Sequence, residues 1–342
     1  MGKRNRNSSF ELLRLVCMFS IVLYHILSHS INGLSGEFWI YKSMTVFFHF
    51  GSVVFVLISG WFGIKLTTQR LLGIYLPLLF YTLAVFFIAK NYNLHRHEVF
   101  PILLLKDGNN LWFIQPYLFL CILSPFINRL IEKFSRNDYL YLLIILGIMI
   151  FFFGWIGNYT IAKDGKTTFC FIFFYVIGRF LKSEESFIRS LPKCNQKLGY
   201  AIILIAIIIF LGKYSGITFL SKISGSFFAY HSPGQVLLSV LILLLFSTFS
   251  FHSKLLNYLS ESSFAIYLIA SNPTVEFYIY KFSALLYATT DNKLLFTFEL
   301  VCVAAAICLI CIVVDIVVRN LITRPCANSI NKAIYSLFNI KH

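Results

Sequence analysis

Apolar residues fill most of this chain in long runs, separated by short clusters of polar and charged positions. A helix needs about 20 mostly apolar residues to cross the hydrocarbon core of a bilayer. By that measure the pattern predicts about ten spans, at roughly 9–29, 43–64, 71–90, 111–129, 138–157, 167–181, 197–212, 235–251, 262–287 and 294–318. The sixth is short. The loops between runs are brief, and no internal repeat or low-complexity tract interrupts them. The expected fold class is therefore all-α: a polytopic transmembrane helix bundle, one domain over residues 1–342 with no appended soluble domain.

Composition agrees with the pattern. The chain is 58% hydrophobic and only 13% charged, against about 25% charged in a typical soluble domain. Thirty-eight Phe and nineteen Tyr suit lipid-facing and interfacial positions. Lys and Arg favour alternate loops by roughly two to one, which predicts both termini on the cytoplasmic side. That distribution also accounts for a net charge of +15 without a nucleic-acid partner, because no basic stripe interleaved with aromatics lies on a soluble segment. The first run is expected to stay as an anchor, since Arg14 interrupts it and no small-residue cleavage site follows. Cys308 and Cys311 have metal-like spacing, but no second pair or His cluster accompanies them, so no metal is expected and they read as small buried side chains.

The chemistry concentrates in the first run. It carries Arg14 and His25, and an intramembrane ionisable residue is a functional hypothesis by default. Eleven residues at ~100° each return to within ~20° of the starting face, and at ~1.5 Å per residue the two lie ~16 Å apart. One stripe thus presents a fixed cation near one surface and an imidazole deeper in the membrane, a ruler for a long anionic-headed ligand with its reactive group at the far end. Ser8-x-x-Glu11 forms a capping-box pattern, and Glu11 lies three residues before Arg14, on its face. Lys65 and Arg70 bracket the next short turn, and together with Arg14 they are the best phosphate-binding group in the chain.

Further candidates follow along the sequence. Ser59-Gly60 suits either close packing against the first helix or lining of a donor path. In the loop before the fourth run, His95, Arg96 and His97, with Trp112 and Phe113 at the helix start, suit either a glycan acceptor or ordinary interfacial anchoring. Glu276, in the middle of the ninth run, must face a cavity or a partner. It could orient a histidine or pair with Lys281. Asp315 and Arg319 form an i,i+4 pair at the inner boundary.

Several of these blocks occur in a familiar order. The Arg-x10-His of the first run with Glu11 before it, V-F-V-L-I-S-G-W-F at Val54 to Phe62, Arg70 just after, Leu111-Trp112-Phe113, and S-S-F-A-I-Y-L-I at Ser262 to Ile269 together resemble the acyltransferase-3 family. These are bacterial integral-membrane O-acyltransferases of cell-envelope glycans. The family block at Ile266 to Ile269 usually ends in His, where this chain has Ala270. The resemblance implies a multi-pass protein of the bacterial plasma membrane. It implies acetyl-CoA as cytoplasmic acyl donor, an envelope polysaccharide or lipid-linked glycan as acceptor, and O-acyl transfer as the reaction. On that reading His25 is the base, since an unperturbed imidazole titrates near pH ~6.5, and Arg14 and Arg70 hold the donor phosphates. A flippase for a lipid-linked sugar is the rival class, and Ala270 keeps open a catalytically inactive relative.

Overall fold

The computed structural model describes residues 7–29, 48–95, 98–105, 111–157, 159–214, 229–290 and 292–337. Among these the chain is helical throughout, without strands. In chain order the principal helices are α1 (Ser8–His29), α2 (Gly51–Phe62), α3 (Thr68–Asn91), α4 (Ile114–Ile131), α5 (Arg136–Gly147), α6 (Thr168–Ser183) and α7 (Cys194–Tyr214). They continue as α8 (Pro233–Thr248), α9 (Lys254–Ser260), α10 (Ser263–Ala270), α11 (Pro273–Thr289), α12 (Lys293–Val318) and α13 (Arg324–Leu337). A π-helical stretch, Ile148–Ile156, extends α5, and another, Arg319–Thr323, joins α12 to α13. Five helical segments, beginning at Ser8, Thr68, Ile114, Arg136 and Leu295, are long and apolar enough to cross a membrane; α2 and α8 are apolar but shorter. The start of the second expected span, 43–47, lies outside the described residues.

α1 is the axis of the bundle. In its apolar window 56% of residues are buried, against 22–33% in the other four, and it touches α2, α8, α9, α10, α11 and α12. Its first turn differs from the expected capping box. Asn7 Oδ1 accepts from the Ser9 N–H at 3.1 Å, while the Ser8 hydroxyl turns to Asn257 Oδ1 at 2.8 Å. The Ser8 N–H donates to the Phe251 carbonyl, which ties the start of α1 to the segment before α9.

Small residues set the closest approaches, as expected where lipid supplies no hydrophobic drive between helices. A Cβ on Gly60 would meet the Tyr175 carbonyl at 2.2 Å, and one on Gly178 the Leu57 carbonyl at 2.3 Å. The two glycines face each other and seat α2 directly on α6. α2 approaches α1 through Gly51, whose Cβ would lie 2.8 Å from the Cys17 carbonyl. Gly60 therefore packs on α6, and Gly51 makes the contact with the first helix that sequence reading assigned to the Ser59-Gly60 pair.

The ninth expected span is not one helix. α10 ends at Ala270 and α11 begins at Pro273. Proline has no N–H for an intrahelical bond, its ring clashes with the carbonyl four residues back, and it pushes its predecessor out of the α region. Asn272 accordingly takes φ −66°, ψ 127°, and caps the new helix by accepting from the Thr274 N–H at 3.1 Å. Ser271 and Asn272 are both buried. Interrupted backbone at membrane depth is tolerated where it is enclosed by protein. Glu276 thus sits in the first turn of a half-helix, not in the middle of a long one.

Candidate functional site

The break between α10 and α11 decides what Glu276 can do. In the first turn of α11 its carboxylate lies at the positive end of the helix, beside amides that lack intrahelical partners. It is 3% exposed and reaches His25, with Oε1 2.9 Å from Nδ1. The Tyr280 hydroxyl lies 3.4 Å from the same nitrogen and also hydrogen-bonds to Glu276. Glu276 and Tyr280 are four residues apart and share a helix face, a spacing that sequence reading overlooked. His29, one turn beyond His25, stacks on the Tyr280 ring at 5.2 Å. Of the two partners considered for Glu276, His25 takes the carboxylate, while Lys281 is exposed.

A cavity of about 340 Å³ leads toward this pair. Its α1 wall is Arg14, Met18 and Ile21, a stripe at i, i+4, i+7 whose next member four residues on is His25. Its α2 wall is Ser52, Phe55 and Ser59, again one helix face, and Arg70 and Gly73 of α3 close the end beside Arg14. At the other end lie Phe113 and Tyr267, joined by the Phe113 N–H donating to the Tyr267 hydroxyl at 3.2 Å. That bond connects the Leu111-Trp112-Phe113 and Ile266–Ile269 blocks. Along the corridor Ser59 Oγ donates to the Phe55 carbonyl at 2.9 Å and lies 3.1 Å from the Tyr117 hydroxyl.

The two arginines are held differently. Arg14 forms two bonds to Glu11, at 3.0 and 2.9 Å, and Glu11 also accepts from Ser260 Oγ at 2.6 Å. Glu11 is 3% exposed, so Arg14 compensates a buried carboxylate as well as lining the cavity. Arg70 is exposed at the first residues of α3. Lys65 is exposed in the preceding turn and does not line the cavity.

An aromatic layer lies beyond the Phe113–Tyr267 end. Tyr24 stacks on His49 at 4.6 Å, His49 lies 3.9 Å from Tyr230, and Tyr230 lies 5.0 Å from Trp112. Trp112 meets Phe113 edge-on and carries Lys166 over its face. Trp112 is thus packed beside the corridor end. His95 is elsewhere, against Phe277 on the outer side of α11. Arg96, His97 and residues 106–110 of the same loop lie outside the described residues.

Taken together, the arrangement offers a cation-lined entrance, a mainly apolar corridor about as long as two to three helical turns, and a carboxylate-bound imidazole just past its far end. A family profile described as an acyltransferase domain matches residues 7–316, nearly the whole chain. No curated protein and no solved structure matches it.

Proposed function

Because the chain belongs to the acyltransferase-3 family, we propose that it is a membrane-embedded O-acyltransferase using acetyl-CoA from the cytoplasm. The acceptor is a hydroxyl of a cell-surface or lipid-linked glycan. On this reading the bundle crosses a bacterial plasma membrane about ten times, with both ends cytoplasmic and the Arg14–Arg70 entrance facing the donor.

The observation that carries the proposal is the α1 stripe. Arg14, Met18 and Ile21 form one cavity wall, and His25, next on that face, is bound by Glu276. The Arg14 and Arg70 guanidiniums suit the donor's pyrophosphate, because a planar fork matches phosphate oxygens and keeps its charge when desolvated. The pantetheine arm lies along the Met18–Phe55 walls and brings the thioester carbonyl up to His25. Glu276 on Nδ1 fixes that proton and leaves Nε2 with the lone pair. Nε2 removes the proton from the acceptor hydroxyl as its oxygen attacks the thioester carbon. Collapse of the tetrahedral intermediate breaks the C–S bond, and His25 returns the proton to the departing thiolate. The Glu276 carboxylate stabilises the imidazolium formed between these steps. Direct transfer needs no nucleophile on the protein.

The test compares envelope polysaccharide from cells carrying the wild-type chain and the His25→Ala variant by proton NMR. O-acetyl signals present only with the wild type are the expected result. Equal signals from both strains would remove His25 from the chemistry.

A further inference from the structure

A second cavity, of about 260 Å³, adjoins the first at its Arg14–Arg70 end. Gly73, Glu261 and Phe264 belong to the walls of both, so a thin partition separates them. Ligand cavities commonly span ~300–1,000 Å³, and the first cavity, at about 340 Å³, is small for a molecule built of pantetheine, pyrophosphate and phosphoadenosine. The second is lined by Arg319 and Arg324, with Gln69 and Asn328 nearby.

Both arginines converge on the partition. Arg319 Nη1 lies 3.4 Å from Glu261 Oε2, and Arg324 Nη2 bonds to the same oxygen. Two guanidiniums on one carboxylate oxygen mark a place where an oxyanion is held, and phosphate presents the same kind of acceptor with more charge. The two are not equivalent. Arg319 is 8% exposed, also pairs with Asp315 at 3.4 Å, and lies over the Tyr258 ring. It is a fixed part of the wall. Arg324 has half its side chain exposed and pairs with no carboxylate besides Glu261 among the described residues, so it is able to turn into the cavity.

We propose that this second cavity receives the nucleotide end of the acyl donor, with Arg324 binding the 3′-phosphate of its ribose. Gln69 and Asn328 offer amide donors and acceptors to the adenine edge. The inference rests on the first cavity being the donor corridor. In the empty protein Glu261 stands in for the phosphate, and it releases Arg324 when the more highly charged group arrives.

The test is equilibrium binding of acetyl-CoA and 3′-dephospho-acetyl-CoA to the purified full chain in lipid nanodiscs, for wild type and Arg324→Ala. Wild type is expected to prefer acetyl-CoA by about tenfold, the scale of one charge-assisted hydrogen bond, and Arg324→Ala to bind both at the dephospho level. Arg324→Lys, which keeps the cation, is expected to retain part of the preference and serves if the alanine variant does not fold. No preference in wild type, or an undiminished preference in both variants, overturns the 3′-phosphate assignment while leaving the corridor reading intact. Failure of wild type to bind either compound overturns both.

Discussion

His25 and Glu276 divide one task. The imidazole moves the proton, and the carboxylate keeps the ring in the tautomer that can accept it. His25→Ala should therefore leave acetyl-CoA binding and folding nearly intact while turnover falls by ~10² to 10⁴-fold, as read by isothermal titration and radiolabelled acetyl transfer. Glu276→Gln keeps a polar side chain of the same size, yet can present an N–H where Nδ1 needs an acceptor. Turnover should fall by ~10²-fold or more, with donor affinity unchanged. A loss confined to affinity would instead make Glu276 part of the donor site. Arg70→Ala should weaken acetyl-CoA binding by ~1.5–3 kcal/mol without lowering melting temperature, because Arg70 is exposed. Arg14→Ala should weaken donor binding and also destabilise the fold, since it strands the buried Glu11 carboxylate. Comparing the two variants' melting temperatures checks that difference. Arg14 and His25 were legible because a single regular helix fixes the angle between them. Tyr280, Tyr117 and Tyr267 were not, because their roles depend on which helices meet.

At the scale of elements, two features hold the site. The first is the glycine contact between α2 and α6, which keeps the Ser52–Phe55–Ser59 face turned toward the cavity. Gly60→Ala places a methyl where the Tyr175 carbonyl stands. It should lower stability by about 1–3 kcal/mol, visible as a lower melting temperature in detergent, with the surviving folded fraction still binding acetyl-CoA. The second is the break before Pro273. The apolar run lengths made the helices readable, and most bounds differ from the expected ones by a few residues. The break was not read, although Asn272-Pro273 announces it, because the apolar run passes through it uninterrupted and average hydropathy is blind to backbone direction. The extension of α12 through a π-turn into α13 was missed for the opposite reason: the segment after Arg319 is too polar to register as a span.

The whole molecule is organised around α1, which touches most of the helices that build the site. On the proposed topology, cysteines placed near positions 95 and 190 should label from opposite sides of sealed vesicles. Labelling from one side would overturn the orientation and with it the cytoplasmic donor. A further consequence follows from the seam at Ser271-Asn272. In a continuous helix, inserting one residue would rotate everything beyond it by ~100° and swing Glu276 away from His25. A two-residue hinge uncouples the rotational register of α10 from that of α11. The half that shapes the donor corridor and the half that carries the carboxylate are thus independently adjustable parts. Substitutions across α10 can remodel which acyl group enters while the proton-handling pair keeps its alignment.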